Sequence, residues 1–371
     1  LPTILPWFDA EIAMLVERHL EENGVRIVTA TRATALRPAA DGALQAVEAG
    51  EASFPANLAI LSMGVRPNVE LAEAAGLKLG ETGAIEVDAS LRTSDPSIYA
   101  AGDCVQTRHR VAGKPCYIPL GSTALKQGRV AAVNMCGGRD RFSGVLGTCI
   151  CKVFRFAVGR TGLGEDEARR HGFDAMTVLA PGPDRAHYMP TAGMLLLKLI
   201  VDRSSRRLLG AQATGAAAVD KRIDVAAMAI AAGLTIDEVA DSDLSYAPSY
   251  STALDNLATA CNVARNKLDG AFTGTSPREV HERLQRRDDF VLLDVRTPHE
   301  HQRQRLPSSH LIPLGALRAR IGELPRDKDI VVFCDISLRG YEAALILQAS
   351  GFNRVSVMEG GLAMWPYAKV E

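Results

Sequence analysis

The chain has 371 residues, of which 47% are hydrophobic and 23% are charged, and its 42 basic and 43 acidic side chains give a formal net charge of −1. Such a length corresponds to about two or three domains. Proteins that bind nucleic acid or anionic membranes typically carry an excess of basic residues, which this chain lacks. No apolar run is long enough to span a bilayer.

The first predicted element is an amphipathic helix over residues 9–23, with Asp9 as its N-cap and Gly24 at its end. A turn at Gly64 ends the last of three strand patterns, at 25–29, 44–48 and 58–63. The usual dinucleotide-binding unit, a strand followed by a G-x-G-x-x-G turn and a helix, does not occur. The glycines of 159–164 stand in a different order and precede acidic residues that would repel a pyrophosphate.

A short apolar strand pattern over 97–101 leads directly into Gly102 and Asp103. Glycine permits a sharp turn and a close approach of the backbone to a ligand. A carboxylate at the end of an apolar strand needs a hydrogen-bonding partner. Asp103 is therefore either a simple turn cap or a ligand for a molecule that carries several hydroxyl groups.

A helix is predicted over 124–135, behind the segment Leu120-Gly121-Ser122-Thr123. We expect Ser122 or Thr123 to be its N-cap. The free N–H groups and the partial positive charge at such a helix start would suit the electron-rich pyrimidine edge of a flavin. The alternative is an ordinary capped helix without a ligand.

From residue 147 the pattern changes to antiparallel strands and helices. Strands over 195–201 and 207–212 form a predicted hairpin, and helices are predicted at 220–232, 235–240 and 252–266. Tyr246 and Tyr250 lie in a proline-containing loop before the last helix. They are either half-buried packing residues or part of a lid over the site of a partner subunit.

Seven cysteines are scattered over the chain. This odd number argues against a disulfide framework and for a reducing, cytoplasmic setting. Cys149 and Cys151 share one face of a predicted strand. Because no second pair of cysteine or histidine ligands completes a zinc site, we predict two core cysteines and no metal.

A polar linker over 268–275 precedes a small α/β domain. Ser276 is the predicted N-cap of a helix that begins at Pro277. Buried strands are predicted at 290–295, 330–333 and 355–358, and a further helix at 341–350.

Cys334 comes directly after the second of these strands, and a helix follows its short loop. Backbone N–H groups and the start of that helix favour the thiolate form of such a cysteine. Arg339 adds a permanent cation suited to anionic sulfur substrates. A buried structural cysteine is the alternative, but the strand end, the short loop and the arginine together favour a reactive thiol.

The last domain, over about 276–368, resembles the single-domain rhodanese family. The matching positions are 292–296, Glu300, 310–312, Cys334 with Arg339, Gly360, Gly361 and Trp365. The resemblance implies that Cys334 carries sulfane sulfur, that Arg339 closes the loop and that segment 294–296 is structural. Three residues depart from the pattern. Ser337 stands where the family commonly has glycine, the charge of Asp335 opposes thiolate formation, and Ser309 replaces a glycine.

Residues 1 to about 266 resemble the flavin- and pyridine-nucleotide-dependent disulfide reductases, in particular the branch of coenzyme A-disulfide reductases, NADH oxidases and polysulfide reductases. The matching positions are 61–68, 93, 99–103, 120–123, 126, 210–212, 219–224 and 246–251. The resemblance implies that Gly102 and Asp103 bind the flavin ribityl chain and that Leu120, Gly121, Ser122 and Thr123, with Lys126, lie near the isoalloxazine.

The same resemblance implies FAD as cofactor, NADH or NADPH as cosubstrate, and coenzyme A as a further candidate ligand. It also implies a homodimer in which Tyr246 and Tyr250 reach toward the substrate or coenzyme A site of the partner subunit. The substrates would be small-molecule thiols, persulfides or disulfides. The expected setting is the cytoplasm, with no nucleic acid or membrane partner.

We therefore expect a multidomain α/β and α+β protein. Its parts would be a remnant of an NAD(P)H-binding domain at 1–66, the second half of an FAD-binding domain at 67–140, a dimerisation domain at 141–267 and a rhodanese-like domain at 276–371. The Gly-rich turns and the redox-active cysteine of the reductase family do not occur in the chain. We accordingly expect a C-terminal fragment that lacks reductase activity on its own.

The expected function is FAD-dependent, NAD(P)H-driven reduction of coenzyme A disulfides, coenzyme A persulfides or polysulfides, with sulfur transfer by Cys334. One alternative is sulfur transfer alone. The other is a non-catalytic dimerising scaffold that binds sulfur carriers, because the flavin site would be incomplete.

Overall fold

The computed structural model describes residues 1–370, which divide into two compact units. One comprises Leu1–Pro6 and Arg26–Gly147, and the other comprises Trp7–Val25 and the chain from Thr148 onward. The predicted multidomain mixture of α/β and α+β architecture is confirmed, whereas the four domain boundaries stay predictions. None of the helices within residues 1–370 is long and apolar enough to cross a membrane.

The first 147 residues contain few regular elements. In chain order they are α1 (Ala10–Glu22), β1 (Ala33–Pro38), β2 (Leu44–Ala49), β3 (Ala52–Pro55), α2 (Glu70–Ala74), β4 (Thr107–Arg108), β5 (Pro115–Cys116) and α3 (Gly121–Met135). Strands β1, β2 and β3 form an antiparallel sheet in that order, and β4 pairs with β5. Helix α1, close to its predicted bounds, belongs to the second unit.

Two of the three early strand predictions are wrong. Residues 44–48 do form β2, but 25–29 and 58–63 have no strand conformation. Apolar side chains of the latter segment are 69–89% exposed, namely Leu58, Ile60, Leu61 and Met63. A strand needs a neighbouring strand for its backbone N–H and C=O groups, and the described residues pair none with this segment.

The strand predicted at 97–101 is also wrong. Its backbone takes part only in an isolated bridge between Arg92 and Tyr99, and Ser97 and Ile98 are exposed. The helix that follows begins earlier than predicted, with Leu120 as its N-cap and no side chain bonded to its first turn. Ser122 and Thr123 therefore lie inside the first turn of α3, so their predicted capping role is wrong.

The second unit contains an antiparallel sheet covered by helices. Its elements up to residue 268 are β6 (Cys149–Val153), β7 (Phe156–Gly162), α4 (Glu165–Arg170), β8 (Ala175–Leu179), β9 (Gly182–Pro183), β10 (Met194–Asp202), β11 (Leu208–Gly215), α5 (Val219–Ala232), α6 (Ile236–Ala240) and α7 (Asn256–Leu268). The strand order is β6-β7-β11-β10-β8, with β9 paired to β10.

The predicted hairpin is confirmed as β10 and β11, whose residues are buried almost throughout. Helices α5 and α6 also match their predictions, and Thr235 caps α6 through a capping box with Glu238. Helix α7 begins four residues late because Asp255 accepts a hydrogen bond from the Leu257 N–H and so acts as its N-cap. Segment 159–164 lies largely in β7 and not in a nucleotide-binding turn.

Cys149 and Cys151 do share one face of a strand, β6. Cys149 is only half-buried and Cys151 is exposed, so the prediction of two core cysteines is wrong. The reason is that β6 is the edge strand of its sheet, where one flank lacks covering neighbours.

The last part of the second unit is an α/β layer structure. Its elements are β12 (Gly274–Thr275), α8 (Pro277–Arg286), β13 (Phe290–Asp294), α9 (Pro298–Arg303), β14 (His310–Leu311), α10 (Leu314–Arg320), β15 (Asp329–Phe333), α11 (Leu338–Ala349) and β16 (Val355–Met358), with short 3₁₀ turns at Ile321–Glu323 and Gly361–Met364. The five strands are parallel, in the order β12-β16-β15-β13-β14.

This parallel sheet has an apolar core on each face. The predicted strands correspond to β13, β15 and β16, and Ser276 is the N-cap of α8 with Pro277 as the first helical residue. Helix α11 begins three residues earlier than predicted. The carboxyl ends of β13 and β15 lie side by side, which brings the loops after them together.

Candidate functional site

Cys334 lies directly after β15, the central strand of the parallel sheet, and is 1% exposed. A loop of three residues connects it to α11. Ligands of parallel α/β sheets bind outside the carboxyl ends of the strands. Cys334 therefore lies where ligands of such sheets bind, and its predicted catalytic role stays a prediction.

Ser337 gives this loop an unusual backbone. It is the N-cap of α11 with φ +73°, a left-handed conformation that glycine adopts without strain. Its hydroxyl donates a hydrogen bond of 3.1 Å to the carbonyl of Met358, which holds the turn against the end of β16. Ser337 thus keeps the left-handed backbone conformation that glycine would adopt in the rhodanese pattern, but with backbone strain.

Gly361 supports the loop from the other side. The N–H groups of Leu362 and Ala363 donate 2.9 Å hydrogen bonds to the carbonyls of Cys334 and Asp335. A Cβ atom at Gly361 would lie 2.5 Å from the Cys334 carbonyl oxygen. Only glycine permits this approach, so the Gly-Gly pair fixes the backbone that carries the thiol.

Arg339 is fixed by Glu300. Its guanidinium donates hydrogen bonds of 2.9 and 2.6 Å to the two carboxylate oxygens, and each side chain is 32% exposed. Arg339 holds the pKa of Glu300 well below its usual range, and Glu300 raises the pKa of Arg339, with a smaller contribution from Cys334. The arginine is therefore a fixed cation beside the cysteine.

Glu300 belongs to the rhodanese pattern in the sequence, but no role in the site was predicted for it. The Glu300 carboxylate binds Arg339 and also accepts hydrogen bonds from the N–H and the hydroxyl of Thr297 at the start of α9. The signal was present as a Thr-x-x-Glu capping box. Its partnership with Arg339, 39 positions away, was not visible in that local pattern.

A buried ion pair lies at the end of β13. Asp294 accepts hydrogen bonds from the Arg296 guanidinium at 2.7 to 3.2 Å, and His301 Nδ1 lies 3.0 Å from the same carboxylate. Both charged residues are almost completely buried. This arrangement agrees with the structural role implied for segment 294–296.

Asp335 is half-buried beside the nucleophile. Burial, together with Arg18, lowers the pKa of Lys369 to about 8, and attraction to Asp335 opposes that lowering. A cation thus partly offsets the carboxylate that was expected to oppose thiolate formation. Lys369 belongs to no motif and was not predicted as part of the site.

In the first unit, the corner at Gly102 is attached to α3. The Gly102 N–H donates a 2.8 Å hydrogen bond to the side chain of buried Gln127, and Gly102 has φ +88°. A Cβ at Gly102 would lie 3.5 Å from that of Ala124. The structure therefore brings Gly102 against the first turns of α3, while the ligand-binding role of Gly102 and Asp103 stays a prediction.

Asp103 itself is exposed, and its carboxylate has no hydrogen bond or ion pair within residues 1–370. Its backbone carbonyl accepts a 2.9 Å hydrogen bond from Tyr117, whose pKa is raised by partial burial and by the Asp103 charge. Lys126 is likewise exposed. The carboxylate and the uncapped start of α3 at Gly121 are both available to a ligand.

Tyr246 and Tyr250 lie in an exposed loop before α7. The loop backbone is anchored by hydrogen bonds to the segment around Arg185, while neither phenol has a hydrogen bond or ring contact among the described residues. The packing alternative for the two tyrosines is therefore disfavoured. Their role toward a partner subunit stays a prediction.

Comparison with known proteins assigns the three parts of the chain. Residues 1–128 match the family "Pyridine nucleotide-disulphide oxidoreductase", 148–258 match its dimerisation domain, and 276–367 match the rhodanese-like domain. Both resemblances drawn from the sequence are thereby confirmed.

Several individual proteins are similar. An "NAD(P)H sulfur oxidoreductase (CoA-dependent)" of Pyrococcus furiosus is 39% identical over 70% of this chain and 58% of its own length. Among solved structures, a NAD-dependent persulfide reductase from A. fulgidus is 48% identical with a TM-score of 0.92, covering 98% of this chain and 66% of that one. The structure of reduced Bacillus anthracis CoADR-RHD is 36% identical with a TM-score of 0.90, covering 98% of this chain and 64% of that one.

The chain thus spans less than three fifths of the length of this curated relative. The matched models cover most of its residues in the order reductase, dimerisation and rhodanese-like domain, and the structural matches extend over nearly the whole chain. The chain belongs to the pyridine nucleotide-disulphide oxidoreductases and carries a rhodanese-like domain at residues 276–367.

Proposed function

We propose that this chain takes part in the NAD(P)H-driven, FAD-dependent reduction of coenzyme A disulfides, coenzyme A persulfides or polysulfides, and that its rhodanese-like domain transfers sulfur through Cys334. The observation that carries the proposal is the arrangement of Cys334, at the end of the central parallel strand, beside an arginine fixed by Glu300. The similarity to a CoA-dependent sulfur oxidoreductase and to a persulfide reductase supports the substrate class.

In the sulfur-transfer step the Cys334 thiolate attacks the outer sulfur of a sulfane donor. Arg339 holds the anionic donor or the departing anion, and its pairing with Glu300 keeps the guanidinium in one orientation. The N–H groups of Leu362 and Ala363 hold the carbonyls of Cys334 and Asp335 through two hydrogen bonds. All of these groups belong to this chain, so sulfur transfer is the part of the activity that its residues complete by themselves.

The residues of the first unit fit one side of an FAD site. The unpaired Asp103 carboxylate would bind ribityl hydroxyls, and the uncapped first turn of α3, with Lys126 one turn on, would face the pyrimidine edge. Bound there, FAD would supply the redox chemistry between the nicotinamide and the disulfide or persulfide. The residues of this chain would bind and orient it.

We further propose a homodimer formed through the dimerisation domain, with Tyr246 and Tyr250 directed to the coenzyme A or substrate site of the partner subunit. Their exposed, unpaired phenols support this role. We also propose the cytoplasm as the setting, because all seven cysteines are free thiols.

The decisive experiment is an assay of thiocyanate formation from thiosulfate and cyanide. We expect Cys334→Ser to abolish the activity, whereas Cys136→Ser, at an exposed cysteine outside the loop, should retain it. Full activity in Cys334→Ser would overturn the proposal.

A further inference from the structure

A buried ion pair joins the rhodanese-like domain to the elements that precede it. Glu359, directly after β16, pairs with Lys267 near the end of α7, and their side chains are 6% and 16% exposed. Lys267 also donates a 2.8 Å hydrogen bond to the carbonyl of Thr177 in β8. All three residues belong to the same compact unit. None of them was predicted as part of the site.

The Glu359 carboxylate is bonded through both of its oxygens to groups outside the rhodanese-like domain. Lys267 binds Oε1, and the N–H of Leu179, at the end of β8, donates a 3.3 Å hydrogen bond to Oε2. A Cβ atom at Gly274 in β12 would clash with the same carboxylate. The structure therefore leaves this side chain a single, tightly enclosed position.

The backbone on either side of Glu359 supports the loop of Cys334. Before it, the carbonyl of Met358 accepts the 3.1 Å hydrogen bond from the Ser337 hydroxyl. After it, the Gly-Gly turn at 360–361 leads to the two N–H groups that donate 2.9 Å hydrogen bonds to carbonyls of the loop. Glu359 thus anchors a short segment that holds the loop from both of its ends.

The anchor depends on the charge of Lys267. Burial raises the pKa of the Glu359 carboxyl, and this effect is opposed by Lys267 and, more weakly, by Lys198. Removing one partner of a buried ion pair leaves the other charge uncompensated, which is strongly destabilising. Without Lys267, the carboxylate would have to move toward water, and segment 358–361 would move with it.

We propose that Lys267 is a positioning residue for Cys334, which holds the sulfur-transfer loop in its reactive geometry from α7 through the side chain and backbone of Glu359. The ammonium group acts on the loop only through Glu359. The inference rests on the proposed function, since it concerns sulfur transfer by Cys334. It extends that function, because the rate of the rhodanese-like domain then depends on its contact with the preceding helix.

The test compares two variants of α7 by steady-state thiocyanate formation from thiosulfate and cyanide. Lys267→Met removes the pair with Glu359. The matched control is Arg265→Met on the same helix, which breaks the 2.7 Å hydrogen bond of Arg265 to Asp237 in α6, away from the loop. We expect Lys267→Met to lower kcat about tenfold and to change KM for thiosulfate by less than about twofold, since it misplaces the thiol and leaves donor binding intact. The control should leave both constants unchanged.

A double variant, Lys267→Met with Glu359→Gln, tests whether the uncompensated charge causes the loss. Glutamine keeps an acceptor for the Leu179 N–H but carries no charge, so we expect the double variant to recover kcat by about threefold relative to Lys267→Met. If Lys267→Met does not fold, the double variant still tests the proposal. Its kcat should lie below that of the unaltered protein, with KM for thiosulfate unchanged.

Hydrogen exchange provides a measurement that is independent of activity. Peptides that contain residues 334–340 should exchange faster in Lys267→Met than in the unaltered protein and in Arg265→Met. An unchanged kcat in Lys267→Met would overturn the positioning role, and so would an equal loss in Arg265→Met. If the unaltered protein forms no thiocyanate, the proposed function itself fails, whereas the exchange comparison still decides whether Lys267 holds the loop.

Discussion

The guanidinium of Arg339 and the carboxylate of Glu300 form two parallel hydrogen bonds of 2.9 and 2.6 Å. The pair joins the start of α11 to the start of α9 and keeps a cation beside the loop of Cys334. Because the carboxylate is also bonded to Thr297, neither partner is free to rotate away.

We expect Glu300→Gln to lower kcat/KM for sulfur transfer from thiosulfate by about tenfold, equivalent to ~1.4 kcal/mol of transition-state stabilisation. Glutamine leaves one acceptor oxygen and removes the charge that orients Arg339. Arg339→Lys should cost at least as much, because lysine has no planar fork for two parallel bonds. The measurement is steady-state thiocyanate formation. The exposed pair of Arg278 and Glu282 supplies the control, and Arg278→Lys should leave the rate unchanged.

The same pair predicts a dependence of stability on pH. The folded-state pKa of Glu300 lies below its ordinary value of 4.5, chiefly because of the Arg339 hydrogen bonds. A depressed carboxyl pKa contributes stability that is fully present above the unfolded-state pKa and is lost as the pH falls toward the folded-state pKa. The difference in Tm between the unaltered protein and Glu300→Gln should therefore be constant from pH 7 to about 5 and shrink below about pH 4.5. A constant difference down to pH 3 would contradict the assignment.

Ser337 allows a test of backbone strain. Both Ser337→Ala and Ser337→Gly remove the hydrogen bond to Met358, but only glycine adopts φ +73° without strain. We expect Ser337→Gly to be more stable than Ser337→Ala by about 1 kcal/mol, measured by urea unfolding of the two variants side by side. Equal stabilities would mean that the loop relaxes to a different conformation.

Lys198 is a buried cation in the inner strand β10, and it contacts three carboxylates at 2.9 Å, those of Asp9, Glu11 and Glu165. These charges raise its pKa despite its burial. Replacing it by methionine leaves the acids without a counter-charge, so we expect Lys198→Met to lower the free energy of unfolding by about 3–5 kcal/mol. Lys152→Met, at an exposed position of β6, should change it by less than ~0.5 kcal/mol.

Local signals predicted the regular part of the fold well. The strands β13 and β15 are largely apolar runs, as buried parallel strands are. The caps at Thr235 and Ser276 identify helix starts through contacts three residues apart. The failures have a common cause. Residues 58–63 have the composition of a buried strand, but burial depends on neighbours that a local pattern does not contain.

In the candidate site, too, the features set by neighbouring residues were predicted and those set by residues distant in sequence were not. Cys334 and Arg339 were recognisable because they stand only five positions apart, on either side of one short loop. The pairing of Arg339 with Glu300, the support of Ser337 by the Met358 carbonyl and the charge of Lys369 near Asp335 all join residues that are distant in sequence.

The most direct test of the account is intact-protein mass spectrometry after incubation with coenzyme A persulfide or thiosulfate, followed by peptide mapping. The account predicts a mass increase of one sulfur atom, located on the peptide that contains Cys334 and absent from Cys334→Ser. An unmodified Cys334, or the same sulfur adduct on Cys334→Ser, would contradict it.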